Sequence, residues 1–209
     1  MTAIVDYGVG NLFSLGCSFA AIGESVRVTS DPAEISSADR IVLPGVGAFG
    51  DAAEKLRISG IGELIRGLAG EGKPLLGICL GMQLLFDESL EYGRHEGLGL
   101  ISGTVRPIAD VIPEGLKIPH MGWNPLVFPH GKHPLLRFIN EGDCVYFVHS
   151  FFADTEADHV IATAEYGAPL TAAVAKGSVY GCQFHPEKSG DVGLGILKSF
   201  CEWDGRDGA

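Results

Sequence analysis

The chain has too little of what several common protein classes require. It carries 15 Lys and Arg against 26 Asp and Glu, a net charge of −11 and a pI of about 5.0. No basic stripe is visible, and a nucleic acid's phosphate backbone would repel such a surface. No apolar run approaches the length of a membrane span. The opening residues, Met-Thr-Ala-Ile-Val-Asp, lack a basic segment, so no signal peptide is expected. Cysteine is sparse and scattered. Cys17, Cys79, Cys144, Cys182 and Cys201 are odd in number and never spaced as C-x-x-C. Neither a disulfide framework nor a zinc site is suggested, and a reducing cytoplasm is the natural compartment. His130 and His133 stand close together but have no third ligand nearby, which reads as a solvated loop. No metal or cofactor is expected. Internal repeats and low-complexity linkers are missing too.

What remains is an ordinary globular balance. The 209 residues are 46% hydrophobic and 20% charged, enough for one domain over 1–209 with an ample core. Ala3 to Asp6 reads as a short strand. Asn11 can cap a helix whose Leu12, Leu15, Phe19 and Ile22 share a face, and Gly23 ends it. Strands are expected at Val26–Thr29, Arg40–Leu43 and Leu75–Ile78, and helices at Asp51–Ile58 and Ile61–Ala69. This alternation with unbroken apolar strands predicts an α/β fold: an open, mostly parallel sheet flanked by helices. The second half is β-rich, at Ile101–Val105, Cys144–Val148, Val160–Ala164, Leu170–Val174 and Val179–Phe184. These strands are expected to extend the sheet in antiparallel fashion. A last helix, about Asp191 to Trp203, would turn Val192, Leu194, Leu197 and Cys201 inward.

The chemistry centres on Cys79. It lies in Pro74-Leu-Leu-Gly-Ile-Cys-Leu-Gly-Met-Gln83, an apolar strand running into a cysteine flanked by Gly77 and Gly81. This is the layout of a nucleophile elbow with Cys in place of Ser. In so tight a turn, side chains at those two positions would collide, so glycine fits. The turn would expose the sulfur at a helix N-terminus, where the dipole favours thiolate. A buried core cysteine is the ordinary alternative, and the glycines alone do not decide. His185 weighs against it. Val179-Tyr-Gly-Cys-Gln-Phe-His-Pro-Glu187 reads as a strand ending in a histidine, with Glu187 able to orient it from behind. A cysteine nucleophile needs such a base, and the base needs a third group to fix its tautomer. Taken singly, His185 could be a backbone-bonded histidine and Glu187 a solvated carboxylate. Together the three favour a triad.

Gly45-Val-Gly-Ala-Phe-Gly50 matches the dinucleotide pattern G-x-G-x-x-G. It follows the third strand, however, and no convincing ribose-binding acid follows it. A glycine loop beside a thiolate suits another task, which is to aim backbone N–H groups at a developing oxyanion. The N–H of Leu80 would supply the other donor.

Gly77-Ile-Cys-Leu-Gly-Met-Gln83 with His185-Pro-Glu187 resembles the class I (triad) glutamine amidotransferases. Within them the chain looks like the branch that forms the glutaminase subunit of imidazole glycerol phosphate synthase. The discriminating stretches are Asp6-Tyr-Gly-Val-Gly-Asn-Leu12, Leu43-Pro-Gly-Val-Gly-Ala-Phe49, Pro119-His-Met-Gly-Trp-Asn124, Tyr146-Phe-Val-His-Ser-Phe151 and Gln183-Phe-His-Pro-Glu-Lys-Ser189. The resemblance implies a flavodoxin-like fold and L-glutamine as substrate. Ammonia would pass to a partner, a (β/α)8-barrel cyclase subunit forming a heterodimer. Cys79, His185 and Glu187 match the family's triad, and Val46, Gly47 and Leu80 its oxyanion region. Gln83, Glu91, Ser150 and Phe151 match its glutamine pocket, with Phe151 where a tyrosine is often found. Asn11, Trp123, Tyr146 and Lys188 are the candidates for the partner-facing side. A glutaminase serving another synthase, a stand-alone cysteine hydrolase and an idle binding subunit are the rival readings.

Overall fold

Unbroken apolar strands need cover on both faces, and the helices of the first half supply it. The structure is a computed structural model that describes residues 1–203. Along the chain come β1 (Thr2–Val5), α1 (Leu12–Ala21), β2 (Val26–Thr29), α2 (Pro32–Ser37) and β3 (Arg40–Gly45). Next are α3 (Phe49–Ser59), α4 (Ile61–Gly70), β4 (Leu75–Cys79) and the one-turn α5 (Leu80–Gln83). The second half holds β5 (Phe86–Ser89), β6 (His95–Glu96), β7 (Ile101–Pro107), β8 (His120–Val127), β9 (Cys144–His149) and β10 (Phe151–Thr155). It ends with β11 (Val160–Glu165), β12 (Pro169–Lys176), β13 (Val179–Cys182) and α6 (Gly190–Glu202).

The main sheet has the order β2-β1-β3-β4-β13-β12-β11-β8-β9. From β2 to β13 every pair is parallel; from β13 onward every pair is antiparallel. The expected α/β fold with an antiparallel extension is therefore the observed one. Alternation along each strand divides the core in two. Ile4, Val42 and Leu76 pack under Leu15 and Phe19 of α1 and Ile196, Leu197 and Phe200 of α6. Val5, Ile41, Leu43 and Leu75 pack under Ile35, Phe49, Leu56, Ile61 and Ile65 from α2, α3 and α4.

Several details differ from expectation. Ile101–Val105 does not extend the main sheet. It forms most of β7 in a second, four-stranded sheet of order β10-β7-β5-β6. Sequence patterning finds the strand, but its sheet depends on which distant chain it meets. The strands β5, β6, β8 and β10 were not anticipated. β8 contains Gly122 and Pro125, which mask its β signal. The short α2 was also unforeseen; Asp31 caps it by accepting from the Ala33 N–H at 2.8 Å. On α6, Leu197 is buried as expected, whereas Val192, Leu194 and Cys201 are only partly so. Gly193, Ile196 and Phe200 are buried beside it, while Val192 and Cys201 pack against the same core with part of their surface exposed. Cys182 is a core residue, but Cys17 and Cys144 are exposed and do not serve packing.

Glycine is required at two positions that fix the elbow. A Cβ on Gly77 would lie 2.6 Å from the Gly81 carbonyl oxygen. A Cβ on Gly81 would lie 1.8 Å from the carbonyl oxygen of Leu43 on the neighbouring strand. Gly81 is thus demanded by β3 rather than by its counterpart Gly77. Gly67 on α4 has nothing within 4 Å of its Cβ position. Gly81→Ala should therefore cost roughly 3 kcal/mol, a fall of about 6–12 °C in melting temperature. Gly67→Ala should instead raise stability by about 0.4–1 kcal/mol through helix propensity and a less flexible unfolded chain. Paired thermal melts check both, and equal melting temperatures would contradict the close approach at β3.

Candidate active site

Parallel pairing builds the site. β4 lies between β3 and β13, with Gly45 opposite Cys79 and Cys182 opposite Ile78. Three carboxyl ends therefore open side by side, where ligands bind in open α/β sheets. Cys79 ends β4 at φ 54 and ψ −112, a strained conformation for a residue with a Cβ. That strain is the signature of an elbow. The helix that follows is only four residues long, so its dipole is small and the sulfur depends on its side-chain neighbours.

His185 arrives just beyond β13. The assigned strand stops at Cys182 rather than Phe184, because the chain leaves the ladder to meet β9. The His185 N–H donates to the Tyr146 carbonyl at 3.0 Å. Ser189 closes the same junction: its hydroxyl donates to the His185 carbonyl at 2.7 Å and accepts from the Tyr146 N–H at 3.0 Å. Glu187, in the turn at Pro186–Lys188, places Oε1 2.9 Å from Nδ1 of His185. Both side chains are only 4% exposed. Burial on its own would lower the His185 pKa. The hydrogen bonds to Cys79 and Glu187, with the negative charge of both, outweigh it and raise it to about 9. With Nδ1 committed to Glu187, Nε2 is the nitrogen left for Cys79.

Around them lies a cavity of about 370 Å³. Its wall brings together Val46, Gly47, Cys79, Leu80, Gln83, Glu91, Ser150, Phe151 and His185, nearly every expected site residue. Gly45 lets the glycine loop lie against the elbow; a Cβ there would come within 2.9 Å of the Gly81 nitrogen. Gly47 has φ 97 and open space around it. The Gln83 amide donates to the Phe151 carbonyl at 3.1 Å and to Gln183 Oε1 at 2.9 Å. Glu91 takes up a position not foreseen: its Oε2 accepts from the Phe49 N–H at 2.6 Å, directly after the glycine loop. It thus ties that loop to the pocket rim. A larger cavity of about 790 Å³ opens on the far side of Glu91, between α3, α4 and residues 91–98. It holds no nucleophile, and its arginines are matched with acids, Arg57 with Glu54, Arg66 with Glu63 and Arg94 with Glu88.

The candidates for a partner-facing side fall into two places. Trp123 and Tyr146 face each other across β8 and β9 with ring centroids 4.8 Å apart, and Lys188 Nζ sits 5.6 Å from the Tyr146 ring. Trp123 is 63% exposed, far more than so large an apolar surface would be in a core. Asn11 stands apart as the cap of α1, its Oδ1 3.5 Å from the Ser14 nitrogen. Among the described residues, no cluster of three or more His, Cys, Asp or Glu is placed to hold a metal. Among the same residues, no helix is long and apolar enough to cross a membrane.

Sequence reasoning missed three residues here. Gln183 is fully buried and its Nε2 lies 3.7 Å from the Cys79 sulfur. Tyr7 donates to the Pro44 carbonyl at 2.8 Å at the head of the glycine loop, and burial, with Cys79 nearby, raises its pKa. The third is Ser189. All three lie in stretches that discriminate the family, but only contacts made across the fold give them a task.

A family model for "Glutamine amidotransferase class-I" matches residues 3–202. The chain is 50% identical over 203 residues to imidazole glycerol phosphate synthase subunit HisH of Bacillus licheniformis, covering 96% of this chain and 95% of the relative. It is 48% identical over 204 residues to the subunit of that name from Wolinella succinogenes, covering 97% and 99%. Among solved structures, a glutamine amidotransferase superposes with a TM-score of 0.73 at 20% identity, covering 95% of this chain and 98% of that one. PurLQS from Thermotoga maritima gives 0.71 at 20% identity, covering 96% of each. The structural likenesses bear on the fold alone. The matched family model and the full-length relatives show that this chain belongs to the class I glutamine amidotransferase family.

Proposed function

We propose that the chain, as one domain over 1–209, is the glutaminase subunit of imidazole glycerol phosphate synthase. It hydrolyses L-glutamine and hands ammonia to a (β/α)8-barrel cyclase partner in the cytoplasm, as part of histidine biosynthesis. The observation that carries this reading is a strained, cavity-lining Cys79 beside a buried His185–Glu187 pair. Family membership, and the subunit name borne by relatives near 50% identity, support the specific assignment.

The mechanism follows from the proton inventory. His185 holds its proton at neutral pH, because its pKa is raised to about 9. Its imidazolium pairs with a Cys79 thiolate. The thiolate attacks the side-chain amide carbon of glutamine, and a C–S bond forms as the carbonyl becomes an oxyanion. Backbone N–H groups of Leu80 and of the Val46–Gly47 segment are the donors assigned to that oxygen. Collapse breaks the C–N bond while His185 gives its proton to the leaving nitrogen, and ammonia departs. Neutral His185 then takes a proton from water as it attacks the thioester; collapse breaks the C–S bond, releases glutamate and returns the thiolate beside protonated His185. Glu187 holds the ring in the tautomer and charge state these steps need. Free ammonia in water is soon protonated and is then no nucleophile, so its value depends on a covered exit. The exposed Trp123, with Tyr146 and Lys188 beside it, is our assignment for the surface that meets the cyclase.

Three expectations test this. Cys79→Ala should abolish glutamine hydrolysis while leaving the fold and cyclase binding intact. Ammonia released by that variant at more than trace rate would remove Cys79 from the mechanism.

The second concerns pH. The folded pKa of His185 lies above its unfolded value of 6.5, so its contribution to stability is complete below that value and fades as pH rises through about 9. The kcat/KM for glutamine should fall over the same upper limb, as the imidazolium disappears. Glu187→Gln removes one of the groups that raise this pKa, and should shift the limb to lower pH as well as reduce kcat. A pH–rate profile identical to wild type would make Glu187 a bystander.

The third is coupling. A peptide plane at Gly47 turns at little cost, because glycine accepts either sign of φ. Glutaminase activity should be low in the isolated chain and rise, mainly in kcat, when a ligand-loaded cyclase binds, since a donor engaged only in the transition state acts on kcat. One oxyanion donor is worth about 100- to 1000-fold. Steady-state kinetics on separate and mixed subunits give the answer; equal rates would mean that the site is always formed.

A further inference from the structure

His149 is a buried titratable group that the hydrolysis leaves unused. It closes β9 and lies directly opposite His120 on β8. Its Nδ1 is 2.8 Å from the Phe151 carbonyl oxygen, and its Nε2 is 3.0 Å from Nδ1 of His120. Nε2 of His120 lies 2.9 Å from Oδ1 of Asn124. His120 is clamped between the rings of Phe147 and Tyr166, with centroids at 4.8 and 4.2 Å. Both imidazoles are buried.

Counting protons gives this chain a direction. A carbonyl only accepts, so His149 Nδ1 carries the hydrogen. In a neutral ring Nε2 is then an acceptor, and it takes the Nδ1–H of His120. That leaves His120 Nε2 as an acceptor. This neutral arrangement requires the Asn124 amide in the reverse orientation, with Nδ2 toward His120, in place of its 3.3 Å bond to the Glu165 carbonyl. Burial favours this neutral arrangement: it pushes His149 down to about 3 and lowers His120 as well. The Phe151 carbonyl therefore receives two donors, His149 Nδ1–H and the Gln83 amide. With both lone pairs occupied, its peptide is fixed in orientation. The same residue lines the cavity with Ser150, Cys79 and His185.

We propose that His149, oriented by His120, is a positioning residue for glutamine: its Nδ1–H holds the Phe151 carbonyl so that the Ser150–Phe151 backbone presents a fixed surface to the substrate. The proposal rests on the glutaminase reading above. His149 is not a second base, because both ring nitrogens are committed to neighbours and neither can exchange a proton with the reaction.

Two variants and one spectrum test it. His149→Leu removes the donor while keeping bulk; one lost hydrogen bond predicts a KM for glutamine raised roughly 5- to 10-fold, with kcat within about twofold. His149→Asn offers Nδ2–H near the position of Nδ1–H and should bring KM back toward wild type. Alkylation of Cys79 by iodoacetamide, followed at that residue by mass spectrometry, should run at wild-type rate in both, since it needs the nucleophile but not the cradle. If KM is unchanged in His149→Leu, the proposal is wrong. If kcat, KM and alkylation all decline together and asparagine rescues none of them, His149 is structural only. Should the leucine variant fail to fold, 15N-histidine NMR of the Cys79→Ala protein decides. Its His149 signals should report the Nδ1–H tautomer and shift on saturation with glutamine. An Nε2–H tautomer, or signals indifferent to glutamine, would overturn the idea. A wild-type chain that does not hydrolyse glutamine would defeat the function itself, a result read before any variant is compared.

Discussion

The parallel pairing of β4 with β13 is the constraint on which the site depends. Cys79 and His185 are far apart in sequence, and no local force brings them together. A register that sets Cys182 beside Ile78 does so, because it points both strands' carboxyl ends at one crevice. A slip of one residue would turn every side chain of β13 to the opposite face and withdraw the base. The register is held by burial on both sides. Val179, Tyr180 and Cys182 are enclosed by the two cores, and each would lose its cover in any other pairing.

A second requirement is to hold a charged pair in an apolar setting. His185 and Glu187 are almost wholly removed from water, where an unpaired charge would be costly. The fold answers with short, local bonds. Ser189 and Tyr146 fix the backbone of His185, while Glu187 fixes its ring. The glycine loop is treated differently. Tyr7 holds one end through Pro44 and Glu91 holds the other through Phe49, leaving Val46 and Gly47 exposed between them. Rigidity is thus concentrated on Cys79 and His185, and freedom on Val46 and Gly47. That division suits the coupling to a partner proposed above.

Much of the cavity wall is built from amides and imidazoles that do no chemistry themselves. Gln183 reaches the Cys79 sulfur, Gln83 reaches Gln183 and Phe151, and His149 reaches Phe151 from behind. A buried network of this kind is stiff when every member has a partner, because breaking one bond leaves a polar group without water. It ties Cys79 and the Phe151 backbone into one frame, and through His120 the frame ends on β8, the strand that displays Trp123.

The sequence by itself determined the local elements and singled out the residues that the structure gathers in one cavity. Apolar runs and helical periodicity marked β1 to β4, α1, α3 and α4, since burial on both faces leaves a pattern readable without partners. Gly77, Gly81 and Cys79 marked the elbow because only glycine tolerates that approach, and His185-Pro-Glu187 marked the buried pair beside it. Tertiary structure decided the rest. Ile101–Val105 joined a second sheet, because an isolated strand carries no label for its neighbour. β8 escaped notice because Gly122 and Pro125 have poor strand preference and are carried there by pairing with β9. The carbonyl of Leu43 explains Gly81, and Phe49 explains the seat of Glu91. Gln183, Ser189 and His149 acquired their tasks only from atoms contributed by other strands. Composition and spacing record what each residue can do; which group it meets is set by long-range pairing, and that is a property of the folded chain.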